Sequence, residues 1–176
     1  MHDSNELLEM IQIQALSWRR QGIACPPIKL SHAQAILAAN RVVLPPDFVQ
    51  MYCVANGTPE LYPNWLDKNY CSFLPLEKLH TEYKKWVVVD TEAAKTDYLG
   101  VTVFVDFMHR SWEYGFIRDA SAGTYKIGIM AGDSEFKVLT NSLATFLKWY
   151  LEDADTIYDY SHSFTDLGRS NSLDKG

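Results

Sequence analysis

Asp106, His109, Arg110 and Glu113 stand within eight residues, in the stretch DFMHRSWEY. Among the histidines of the chain, His109 is the one most suggestive of catalysis. A hydrolase would use such an imidazole as a general base and a neighbouring carboxylate to orient it. The surrounding apolar alternation, however, places Asp106 and Glu113 on two successive strands and His109-Arg110 at the turn between them. The plain reading is a charged hairpin tip. The other histidines, His2, His32, His80 and His162, have no HExxH or other tight metal-ligand spacing. The chain also lacks a GxSxG elbow, a phosphate loop and a GxGxxG turn. Cys25, Cys53 and Cys71 are odd in number and form no CxxC pair, so neither a disulfide framework nor a zinc site is expected. The expectation is a protein without catalysis, metal or cofactor.

Features suited to binding are better developed. The loop NGTPELYPNWLDKNY sets Tyr62, Trp65 and Tyr70 beside Glu60 and Asp67. Aromatic anchors next to carboxylates are the kind of surface that docks a protein partner. A second acidic surface is expected on the hairpin and nearby turns, from Asp106, Glu113, Asp119, Asp133 and Glu135. The residues read as partner-binding are Glu60, Trp65, Asp67, Asp106, Glu113 and Asp133. A net charge of −6 disfavours nucleic acid, whose phosphates need a basic surface, and suits a basic protein partner.

The elements that must position these residues follow from spacing. The 176 residues, 47% of hydrophobic type, suffice for one domain with a real core. That domain is expected over residues 1–158, with a polar, fraying tail over 159–176. Leu8, Ile11, Ala15 and Trp18 predict an amphipathic first helix. Ser31 is expected to cap a second helix running to Ala39. In LPPDFVQMYCVANG, Pro45 and Pro46 suit a helix entry, and Asp47 suits the positive end of its dipole. Phe48, Met51, Tyr52 and Ala55 form one apolar face, and Gly57 is expected to close the helix in the left-handed conformation. Cys71 to Leu76 predicts a short strand ended by Pro75, and Glu77 to Trp86 a helix. Val87 to Val89 favour a strand, and the Ala-rich piece after them does not.

From Val101 the apolar period becomes two. Val101, Val103, Val105 and Phe107 predict one strand face. Trp112, Tyr114 and Phe116 predict the next, Tyr125, Ile127 and Ile129 a third, and Phe136 with Val138 a fourth. The short links predict an antiparallel meander with no room for parallel crossovers. A last helix, capped by Asn141 or Ser142, carries Leu143, Phe146, Leu147, Tyr150 and Leu151 on one face. Helices at both ends of a β-meander give an α+β fold. The N-terminus has no signal-peptide pattern and no apolar run reaches membrane-span length, so a cytoplasmic protein is expected.

In order, these pieces resemble the SUKH superfamily, which includes bacterial immunity proteins and a yeast regulator of cell-wall glucan synthesis. LPPDFVQMYCVANG resembles its LPxDYxxFLxxxNG-like helix, with Phe48 where Tyr is common. FLPLEKL matches the small strand that follows. VTVFVDFMHRSWEYGFI resembles its paired strands, and FKVLTNSLATFLKWYLED its closing strand and helix, with Leu143 where Phe is frequent. The likeness runs over roughly residues 31–158. It implies a binding scaffold, and for the bacterial branch an immunity protein that neutralises a nuclease or deaminase toxin domain. For the yeast branch it implies a regulator or scaffold binding an endogenous, non-toxic protein.

Overall fold

Leu7, Ile11, Ala15 and Trp18 recur at helical spacing and are buried, so Ser4–Arg20 form helix α1 with that stripe inward. A computed structural model describes residues 4–58, 66–91, 93–132 and 134–158 of the chain. The tail expected over 159–176 lies outside the described residues. Helix α2 spans Leu30–Asn40 and α3 spans Pro46–Val54. After the short strand β1 (Cys71–Phe73) come a 3₁₀ turn (Leu76–Lys78) and the strands β2 (His80–Asp90), β3 (Ala93–Phe107), β4 (Trp112–Asp119), β5 (Thr124–Ala131) and β6 (Glu135–Thr140). Helix α4 (Leu143–Glu152) and a 3₁₀ turn (Asp155–Tyr158) complete the described residues. The fold is α+β.

Strands β2 to β6 run up and down, each antiparallel to the next. The first and last of five such strands point the same way, so they can meet only in parallel. They do meet: Val87–Val89 pair with Glu135–Lys137, and the sheet closes on itself. The expectation of a purely antiparallel sheet is thereby corrected. Closure needs no separate crossover, because the intervening hairpins serve as one. Strand β1 extends the β2 side of β3, pairing Cys71–Phe73 with Phe107–Val105.

The helices cover one face of this sheet. Phe48 of α3 packs against Phe104 and Phe116, Phe146 of α4 against Phe104 and Tyr114, and Phe73 against Trp18 and Tyr150. The opposite face is filled by Trp86, Val101, Val103, Met130 and Phe136, all buried. A Cβ at Gly115 would lie 2.5 Å from Val101 Cγ1 and 3.2 Å from Met130 Sδ, so both side chains cross over β4 there.

Five further expectations need correction. Ser31 lies inside α2, whose N-cap is Lys29 with no side-chain cap. Helix α3 stops at Val54, because Ala55 is extended. Gly57 is left-handed (φ +65°) but serves packing: a Cβ there would meet Phe73 O at 2.6 Å and Pro75 N at 2.8 Å. Glu77 to Trp86 is not a helix; the 3₁₀ turn ends at Lys78 and β2 begins at His80. The Ala-rich piece is strand, because Ala93–Val103 pair along the whole of β2. A bulge between Val103 and Val105 also breaks the single face expected for Val101 to Phe107. By contrast, Ser142 caps α4 as expected, its hydroxyl accepting from Thr145 N at 3.2 Å.

Candidate functional site

The β3–β4 hairpin puts Asp106 opposite Glu113. Asp106 is buried, and its Oδ1 accepts the backbone N–H of Arg110 at 2.6 Å. Met108, His109 and Arg110 all have positive φ (46°, 56° and 67°), so Asp106 secures a tight left-handed tip. Met108 N donates to Tyr70 O at 3.0 Å and ties that tip to the loop before β1. Glu113 is half-buried, with its Oε1 3.8 Å from Arg110 Nε. Partial burial raises its carboxyl above the ordinary range; Arg110 opposes the shift, and Glu82 and Asp106 add to it. A cavity of about 300 Å3 opens here, lined by Glu82, Lys84, Trp86, Arg110, Trp112 and Glu113 among others. The indole of Trp112 stacks on Phe107 at 3.8 Å and donates to Tyr114 Oη, which donates to Ile157 O. The tip is thus anchored to the C-terminal 3₁₀ turn.

Asp67 is also buried. Its Oδ2 accepts from Trp18 Nε1 at 3.2 Å, and its Oδ1 accepts from the backbone N–H groups of Asn69 and Cys71 at 2.9 and 3.0 Å. It clamps α1 to the entry of β1 and presents no free carboxylate to a partner. Burial raises its pKa above the ordinary value, against those three hydrogen bonds. Glu60, Trp65 and Asp133 lie outside the described residues. Of the expected binding residues the hairpin therefore unites Asp106 and Glu113, and Asp67 stands apart in the core.

Residue order alone did not reveal a larger cleft between the β2–β3 and β4–β5 hairpin ends. It holds about 500 Å3. Val88, Leu99 and Ile117 line it as apolar groups, with Asp90, Lys95, Asp97, Arg118, Asp119 and Lys126 around them. The register explains this grouping: Val88 faces Lys95, Asp90 faces Ala93 and Ile117 faces Lys126, so alternate residues of four strands share one face. Lys126 Nζ pairs with Asp90 Oδ2 and joins the two hairpins. Lys95 pairs with Asp97 at 2.9 Å. Asp119 turns its Oδ1 to Ser121 and to the N–H of Ala122, and these bonds hold its pKa below the ordinary value. A period-two signal, Ala93-Lys95-Asp97-Leu99, was present in the sequence but was masked by the low strand preference of Ala, Lys and Asp.

The three cysteines are free, and burial pushes the Cys71 thiol up. Among the described residues no group of three His, Cys, Asp or Glu side chains could hold a metal ion, and no helix is long and apolar enough to cross a membrane. The fold and cleft define an α+β protein with a charge-ringed sheet surface between two hairpins. No protein-family model and no curated sequence matches the chain.

Proposed function

We propose that this chain is a non-catalytic protein-binding module of the immunity type, neutralising a toxin domain of the nuclease or deaminase kind. The SUKH-like order of its motifs supplies the role. The observation that carries the binding is the cleft between the hairpin ends: apolar groups ringed by charge, on two hairpins whose strands are each held in register by their own hairpin partner. Docking surfaces share that anatomy, with an apolar centre that gains by leaving water and a charged rim that sets register. The net charge of −6 fits a toxin domain with a basic active-site face, and steering would raise the association rate.

The test begins with capture of partners from the native cell grown in dense contact with its kin. A captured protein counts only if its terminal domain kills cells and co-expression of this chain protects them. Leu99→Asp and Asp97→Lys should then reduce protection. A non-toxic partner alone would replace immunity with regulation of an endogenous protein. Undiminished protection by both variants would place the docking surface elsewhere.

A further inference from the structure

Beside that cleft, and sharing Arg118 with it, the surface carries a second concavity with different chemistry. A notch of about 150 Å3 is lined by Arg41, Thr81, Tyr83, Gly100, Thr102 and Arg118, with Val43 at its edge. Thr81 pairs with Thr102 and Tyr83 with Gly100 across β2 and β3, and Thr102 faces Phe116, two residues before Arg118 on β4. These side chains therefore share one sheet face. Arg41 arrives from the link after α2.

Three observations converge here. First, neither Arg41 nor Arg118 has an ion-pair partner among the described residues. Both are exposed and line the same notch, so an anion seated there would meet two uncompensated cations. Second, the hydroxyls of Thr81 and Thr102 lie 2.9 Å apart. Each carries one hydrogen, and one hydrogen closes the pair. The other, on whichever hydroxyl accepts, has no acceptor among the described residues; Thr102 is buried and Thr81 partly exposed to the notch. An incoming oxygen would satisfy it. Third, Arg41 occupies the left-handed position that ends α2 (φ +55°), where Gly or Asn is favoured. A side chain that works against its own backbone at that point is explained if its guanidinium is needed there.

We infer that this notch binds a phosphate group, held between Arg41 and Arg118 and hydrogen-bonded by the Thr81–Thr102 pair. Arg matches phosphate oxygens with its planar fork of donors, and a phosphate near −1.5 to −2 in charge answers two cations. The exposed Tyr83 and Val43 beside it would meet the organic part of a phosphate ester. This site does not depend on the immunity reading.

The experiment is a backbone-amide NMR titration of the full chain with inorganic phosphate at constant ionic strength. Saturable shifts are expected at Arg41, Tyr83, Gly100, Thr102 and Arg118. Arg41→Gly and Arg118→Gln should each weaken binding by about tenfold or more, the worth of one charge-assisted pair. Arg41→Gly suits the left-handed backbone, so its spectrum should remain that of the folded protein. Arg110→Gln, at the distant hairpin tip, should bind phosphate like the unaltered chain. Linear, unsaturable shifts, or unchanged affinity in both notch variants, would overturn the site. Acetate binding as tightly as phosphate would overturn the phosphate assignment. Tighter binding of phenyl phosphate than of inorganic phosphate would support the site and assign it to an ester; the reverse order would support it and assign it to the free ion.

Discussion

The Tyr125 hydroxyl donates to the Asp47 carboxylate and accepts the backbone N–H of Leu143. Asp47 lies in the first turn of α3, and Leu143 begins α4. One phenol on β5 thus holds the amino ends of two helices, and its ring packs edge-on against Phe48. Asp47 serves less as a solvent-facing partner of a helix dipole than as an acceptor for the sheet. Burial, and next the bond to Asp47, raise the phenol above its ordinary pKa, so the hydroxyl keeps its proton through neutral and mildly alkaline pH.

Tyr125→Phe leaves the Leu143 N–H and the Asp47 carboxylate without this partner. The expected loss is about 1–3 kcal/mol in denaturant unfolding, the usual effect of orphaning buried polar groups. Asp47→Ala should lose less stability in the Tyr125→Phe background than alone. Equal losses in the two backgrounds would show that the bond contributes nothing to stability.

Gly57→Ala and Gly22→Ala separate backbone conformation from crowding. Both glycines have positive φ, but a Cβ at Gly22 meets nothing within 4 Å, whereas one at Gly57 strikes the backbone of Phe73 and Pro75. Thermal or denaturant unfolding should show a loss of about 1–2 kcal/mol at position 22, from the left-handed penalty alone. Position 57 should lose about 2–4 kcal/mol or more, because overpacking adds to it.

Asp67 sets an acid-side slope. Its folded pKa lies above the unfolded value, so the folded state binds the proton more tightly. Its contribution to stability is full below the unfolded pKa of about 3.9 and is lost as pH rises through the folded pKa. Between about pH 3 and pH 7, the unaltered chain should therefore lose stability relative to Asp67→Asn, which cannot ionise. Carboxyl NMR titration gives the pKa directly; a slope of opposite sign would mean that the Trp18, Asn69 and Cys71 bonds outweigh burial.

Lys126→Ala removes the ion pair that joins the two hairpins. Both partners are about half exposed, so stability should change by no more than about 1 kcal/mol. A partner seated in the cleft should lose affinity, and the salt dependence of its association should change. A large drop in melting temperature would instead mark the pair as a structural latch.

Much of this fold could be read locally. Paired prolines announce α3, Ser142 and its apolar stripe announce α4, and period-two runs announce β4 to β6. Where reading failed, distant partners decided. Glu77 to Trp86 mixes charged and aromatic residues that fit a helix about as well as a strand, and only the fifteen-residue β3 beside it selects the strand. Asp67 and Asp106 look like surface carboxylates until Trp18 and the Arg110 N–H are brought to them. The hairpin grouping of Asp106 with Glu113 was legible because it is local. The cleft and the arginine notch were not, since each draws on segments far apart in the chain.

The parallel seam has a consequence for the order of assembly. Four antiparallel pairings can each grow from a nearby turn, but Val87–Val89 find Glu135–Lys137 only after all the intervening hairpins are in register. The seam is therefore the last stitch of the closed sheet to form and, being three residue pairs long, shorter than any of the four hairpin pairings. Parting there would loosen Phe136 while the aromatic cluster of Phe48, Phe104, Phe116 and Phe146 on the helix-covered face stays packed. Hydrogen exchange would see that breathing as early loss of protection at the seam amides, well ahead of the amides around Phe104.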